Sequence, residues 1–214
     1  MIDREKALKT FNTYVSKYNP EDEKIKLKIE HIQRVAKNAN DIAENLKLSK
    51  EDIDIAWLIG LLHDIGRFEQ VRLYHTFNDG KSVNHAEIGV KILFEDGLIR
   101  EFIEDKQYDE IIKIAILNHN RPAIETGLTE RQLLHSKIIR DADKIDIYYS
   151  LTIYSKEAVW ESKDLSNDII SDEIYREFKE DKRMNYKNRR SAADGLVCHF
   201  AYVYDFYYKY SLQV

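Results

Sequence analysis

The chain has 214 residues, 33 Lys and Arg against 38 Asp and Glu, and a net charge of -5. That length suits one domain with a substantial core, and the acidic balance argues against broad, sequence-independent binding of nucleic acid. Two prolines and seven glycines favour long helices, the lone Cys198 permits no internal disulfide, and the apolar runs are too short to span a membrane.

Asp3 to Tyr18 has the pattern of an amphipathic helix. Asn19-Pro20 offers a cap and a first-turn proline for a long helix to about Leu46. Ser49 to Asp52 opens the next helix in capping-box style, and that helix is expected to end at Gly66. Arg67 to Ser82 is aromatic and basic, with Asn78-Asp79-Gly80 as a turn, and reads as an irregular segment. Asn84 to Glu87 starts another helix that stops near Gly97, and Tyr108 to His119 is one more, broken by Arg121-Pro122. Thr129 to Gln132 caps a helix leading into Arg140 to Asp146, while Ser166 and Ser191 are expected to start two others. Phe200, Tyr202, Tyr204 and Phe206 alternate, yet Ala192-Ala193 and Leu196 precede them at helical spacing, so the tail is read as helix. The prediction is an all-α single domain over 1–214, with C-terminal helices in 151–214 packing on the core. The polar start, Met1-Ile2-Asp3-Arg4-Glu5-Lys6, lacks a signal-peptide pattern, which points to the cytoplasm.

Six side chains stand out along this helical run: His31, His63-Asp64, His85, His119 and Asp143. A lone His-Asp pair is a weak motif. The weight comes from the helical stripes. His31 shares a stripe with Leu27, Val35, Ala39 and Ile42; His85 leads Ile88, Gly89 and Ile92; His119 ends a run whose inward face holds Ile112, Ala115 and Ile116. Imidazoles from three separate helices therefore turn inward, where each ring nitrogen needs a partner. Imidazole and carboxylate together suit a first-row transition metal, and six such groups can hold two ions.

In Leu61-Leu62-His63-Asp64-Ile65-Gly66 and Asp141-Ala142-Asp143-Lys144-Ile145-Asp146, with His31 before them, the chain resembles the HD-domain superfamily of metal-dependent phosphohydrolases. The likeness spans roughly residues 25–150. It implies a helical bundle with one or two divalent ions (Fe, Mn, Ni, Zn or Mg) in its core. Asp143 matches the family's last ligand, which leaves Asp141 and Asp146 in supporting roles. Members with the added histidines, here His85 and His119, look binuclear. The resemblance then puts His31, His63, Asp64 and Asp143 on one ion and Asp64, His85 and His119 on the other, with Asp64 bridging. The implied activity is hydrolysis of a nucleotide or related phosphate ester, monoester or diester, by metal-bound hydroxide.

Markers of particular branches are missing. The guanosine-tetraphosphate hydrolases have a Glu-Asp pair after the motif, where this chain has Arg67-Phe68. The HD-GYP phosphodiesterases have a Gly-Tyr-Pro element, where His119 is followed by Asn120-Arg121-Pro122, and Glu69 is a poor match for the acid of the 5′-nucleotidases. Arg67, three residues past Asp64, is expected to grip phosphate oxygens, and Lys144 to contact phosphate or to pair with Asp141 or Asp146. Arg72, Tyr74 and Arg121 are candidates for the pocket rim. His75 and His135 lie off the pattern, and His199 sits in the aromatic tail. Phe200 to Tyr210 reads as core or a homodimer face, and Lys182-Arg183 and Arg189-Arg190 as a solvated face. The same ligand order also resembles the mixed-valent di-iron oxygenases typified by myo-inositol oxygenase. A regulatory module that binds nucleotide without turnover is the third reading.

Overall fold

In the computed structural model, which describes residues 2–155, 167–180, 184–185 and 188–214, every regular element among the described residues is helical. α1 (Arg4–Val15) starts at Asp3, whose carboxylate accepts from the Lys6 N–H. α2 (Glu23–Asn45) starts at Asp22 rather than at Asn19: Asp22 accepts from the Lys24 N–H, while Asn19 closes a local turn on Glu21. Both side chains are good caps, and Pro20 is left outside the helix. α3 (Lys50–Leu62) begins at Ser49 as expected, and from Asp54 to Leu62 every residue is buried.

α3 stops at Leu62, just before the His-Asp pair, and Gly66 itself is not its terminator. α4 (Gly66–Tyr74) begins there, so most of the stretch expected to be irregular is helix. A Cβ on Gly66 would lie 2.2 Å from the His85 carbonyl oxygen and 2.6 Å from the Gly89 nitrogen. Gly66 thus answers to close backbone contact with the next helix, not to a helix end. Asn78 accepts from the Gly80 N–H in the predicted turn, and α5 (His85–Val90) starts at Asn84. A wide turn carries the chain to Glu95, and Gly97, at φ 84°, ends the element where expected.

After α6 (Ile99–Phe102), α7 (Asp109–His119) and α8 (Glu130–Ile153) follow the prediction, the latter with a complete capping box between Thr129 and Gln132. α9 (Asp172–Lys179) precedes α10 (Ala192–Phe200), which Ser191 caps as predicted. The start expected at Ser166 lies outside the described residues. The aromatic tail is not one continuous helix: a 3₁₀ stretch over Ala201–Asp205 gives way to extended backbone at Phe206. The Asp141 carboxylate accepts the Tyr207 and Tyr208 N–H groups, which diverts them from helix carbonyls.

α2 packs against both α3 and α8, α7 against α8, and α4 against α5. A Cβ on Gly60 would meet the Ala36 Cα at 2.6 Å, so α2 and α3 touch almost backbone to backbone. Phe11, Phe68, Leu58, Leu61 and Ile112 fill the main core, and a small satellite of Ile174, Met184, Cys198 and Ala201 forms near the C-terminus. No described helix is long and apolar enough to cross a membrane.

Candidate metal centre

The helix packing brings the six predicted side chains together. His31 comes from the middle of α2, His63-Asp64 from the end of α3, His85 from the first position of α5, His119 from the last of α7 and Asp143 from α8. Two groups could each hold a metal ion: His31, His63 and Asp64, and Asp64, His85 and His119, with ligand atoms within 4.8 Å of one another in each group. Asp143 Oδ1 joins the first, 3.2 Å from His31 Nε2 and 3.7 Å from His63 Nε2. The Asp64 carboxylate faces both, with Oδ2 3.5 Å from His31 Nε2 and Oδ1 3.2 Å from His85 Nε2.

All four imidazoles are oriented alike. Nδ1 of His31 donates to Asp146 at 2.6 Å, that of His63 to the Gly60 carbonyl at 2.8 Å, that of His85 to Asp79 at 2.7 Å and that of His119 to the Ile116 carbonyl at 2.6 Å. With a proton assigned to Nδ1 by these acceptors, each Nε2 is the nitrogen turned to the interior, and in a neutral ring it presents a lone pair there. His31 Nε2 and His63 Nε2 are buried without a hydrogen-bond partner, and His85 Nε2 lies 2.9 Å from His119 Nε2. Two lone pairs so close repel unless a cation lies between or beside them. The donor set thus fits a divalent metal on the structure's own terms.

The electrostatics separate the histidines. Burial, together with Lys28, pushes His31 down, but hydrogen bonds donated to Asp143, Asp146 and Asp64 outweigh both and take its pKa up to about 9. Burial and the Arg67 charge take His85 down to about 3. Burial also lowers His63. Against burial, Lys28 and His63 hold the Asp64 carboxyl well below the usual carboxylate range, and His31 and His63 do the same for Asp143.

Two participants escaped the sequence reading. Lys28, one turn before His31 on α2, places Nζ 2.6 Å from Asp64 Oδ2. Its spacing of three from a candidate ligand was the available signal. Asp79, read only as a turn residue, orients His85 and binds Arg67 Nη1 at 2.9 Å; its position six residues before His85 marks nothing in sequence. Asp146 supports His31 as expected, and Arg34 grips it through Nε and Nη2.

Arg67 does border the centre. Its Nη1 donates to Gln70, the Phe77 carbonyl and Asp79, and its buried Nε, 3.6 Å from Asp64 Oδ1, has no hydrogen-bond partner. Lys144 pairs with neither Asp141 nor Asp146. It turns the other way, 3.0 Å from Asp205 and beneath the Tyr202 ring. Asp141 instead holds the tail through Tyr207, Tyr208 and Ser211. Of the rim candidates, Arg72 pairs with Glu69, Arg121 with Glu125, and Tyr74 is exposed. His75 is exposed at the end of α4, and His135 is buried on Asp52. His199 lies within the electrostatic reach of Asp143, and Arg190 pairs with Glu173; Lys182-Arg183 lie outside the described residues.

The family model for the HD domain matches residues 29–148, which include all six candidate ligands. Comparison with curated proteins and with solved structures gives no match.

Proposed function

The chain belongs to the HD-domain family, and from that premise we propose that it is a metal-dependent phosphohydrolase holding two divalent ions and acting on a small phosphate ester, with nucleotides the leading class. One observation carries the reading: four buried imidazoles all donate outward through Nδ1 and aim Nε2 at Asp64 and Asp143. Divalent ions held by such a set lower the pKa of water to about 7 and polarise a phosphoryl oxygen.

The rest falls to the chain. Asp64 has an oxygen for each half, so His31, His63, Asp64 and Asp143 form one site and Asp64, His85 and His119 the other. Asp146, Gly60, Asp79 and Ile116 fix the ring orientations, so that little reorganisation is left for the reaction. Arg67, locked by its three Nη1 bonds, offers its unpartnered Nε–H to a phosphate oxygen beside Asp64. Lys144, adjacent to Asp143 but bound to Asp205, is a positioning residue that fastens the C-terminal segment next to the centre. Among the described residues no burial or ligand loss favours a non-catalytic module, since every expected ligand is present.

The test is metal analysis of protein purified without added metal or chelator, together with a panel of nucleotides and simple phosphate esters. Two equivalents of metal with metal-dependent phosphate release are expected. Two equivalents of iron with oxygen uptake and no phosphate release would replace this reading with the oxygenase. Tight nucleotide binding without turnover would replace it with the regulatory module.

A further inference from the structure

Lys28 is the cation nearest the centre that no ligand role explains. Its Nζ is 2.6 Å from Asp64 Oδ2 and 5.2 Å from the Phe77 ring centre, and its side chain is only 14% exposed. Arg67, also 14% exposed, stands on the other oxygen, with Nε 3.6 Å from Asp64 Oδ1 and Cζ 5.6 Å from the same Phe77 ring. One carboxylate is thus flanked by two fixed cations that share one aromatic wall. Such a pair is more than Asp64 needs once divalent ions neutralise it. The released ammonium and the Arg67 Nε–H, the latter buried and without a hydrogen-bond partner, then flank Asp64 in a centre whose partly exposed carboxylates are Asp143 and Asp79.

We propose that Lys28 and Arg67 form a phosphate clamp on either side of Asp64, with Lys28 moving from Asp64 to the substrate, and that the clamp selects a dianionic terminal phosphate over a phosphodiester. The inference rests on the phosphohydrolase reading and names its substrate class. A monoester presents three terminal oxygens and two negative charges, enough to engage an ammonium, a guanidinium and the metals at once. A diester presents two free oxygens and one charge, so one cation is left desolvated without a partner.

The probes are inorganic phosphate and dimethyl phosphate, titrated by calorimetry into metal-loaded protein, so that binding is read apart from turnover. The unsubstituted protein is expected to bind phosphate more tightly than dimethyl phosphate. Lys28→Met, which keeps the apolar stem, should weaken phosphate by about tenfold or more, the effect of one charge-assisted hydrogen bond, and dimethyl phosphate far less. Lys28→Arg should restore most of the binding with metal content unchanged. Equal weakening of both probes, no weakening, or loss of metal in Lys28→Met would each overturn the clamp, the last by making Lys28 a support for Asp64. Absence of turnover with the clamp's binding pattern intact would instead count against the hydrolase reading alone.

Discussion

His31 and Asp143 come from the interiors of the long helices α2 and α8 and His63 and His119 from the C-terminal ends of α3 and α7, whereas His85 is the first residue of a six-residue helix. The supports differ in the same direction. Asp146, behind His31, is 2% exposed and held by Arg34 and Ser150; Asp79, behind His85, is 32% exposed and sits on a single 3₁₀ turn. The imidazoles are all buried, so what separates His31 from His85 is the carboxylate behind each ring, one buried and one partly exposed. Ligands of one chemical type can therefore make a retained site and an exchangeable one, with the difference lying in what holds them.

Removing what the halves share has the largest effect. Asp64→Ala should abolish activity and strip metal from both positions; retention of two ions with activity would remove the bridging role. The supports should then separate the halves. Asp146→Asn is expected to weaken only the His31 ion, by up to about 100-fold, and Asp79→Asn only the His85 ion, nearer tenfold, because water can replace a half-exposed carboxylate more readily than a buried one. Chelator titration with metal analysis should show the His85 ion leaving first from the unsubstituted protein. Simultaneous release would erase the contrast.

Proton competition sharpens it further. His31, raised to about 9, carries a proton in the metal-free protein that must leave before Nε2 can bind an ion. His85, lowered to about 3, carries none at neutral pH. With the sign worked through, affinity of the His31 half should rise between about pH 6 and 8, by up to tenfold per pH unit, while that of the His85 half stays nearly flat. Zinc titrations of His85→Ala and His31→Ala, which isolate the halves, would show the two slopes.

The His31 half was the more legible from sequence. His31 lies on an apolar stripe and His63-Asp64 follow nine consecutive buried residues, so the helical period itself points the ligands inward. His85 and His119 were visible by that rule too, but their surroundings were not. Gly66 looks like a helix end because the residue type cannot reveal that its missing Cβ makes room for the His85 carbonyl. Asp79 acts from within a turn, with nothing in the sequence to mark its role, and Lys28, whose spacing from His31 is its one signal, reaches an acid 36 residues further on. Lys144 departs from expectation for a related reason: its partner, Asp205, lies 61 residues away, on a tail whose path depends on hydrogen bonds to α8.

That tail sets the smallest of the expected effects and tests whether the His31 half depends on its neighbours. α8 carries Asp143 and Asp146 on the face toward the candidate metal ligands, and Arg140, Asp141 and Lys144 on the face toward the C-terminal segment. Asp141 is the main fastening, accepting from Tyr207, Tyr208 and Ser211 Oγ, the last at 2.7 Å. Asp141→Ala should leave those three donors without their acceptor and cost about 1–3 kcal/mol in a denaturant titration. Metal content and chelator resistance should stay unchanged, because the ligands on the other face of α8 are held by α2 and α3. Loss of the His31 ion in that variant would mean that the tail, rather than the long-helix packing, supplies the rigidity here assigned to α2, α3 and α8.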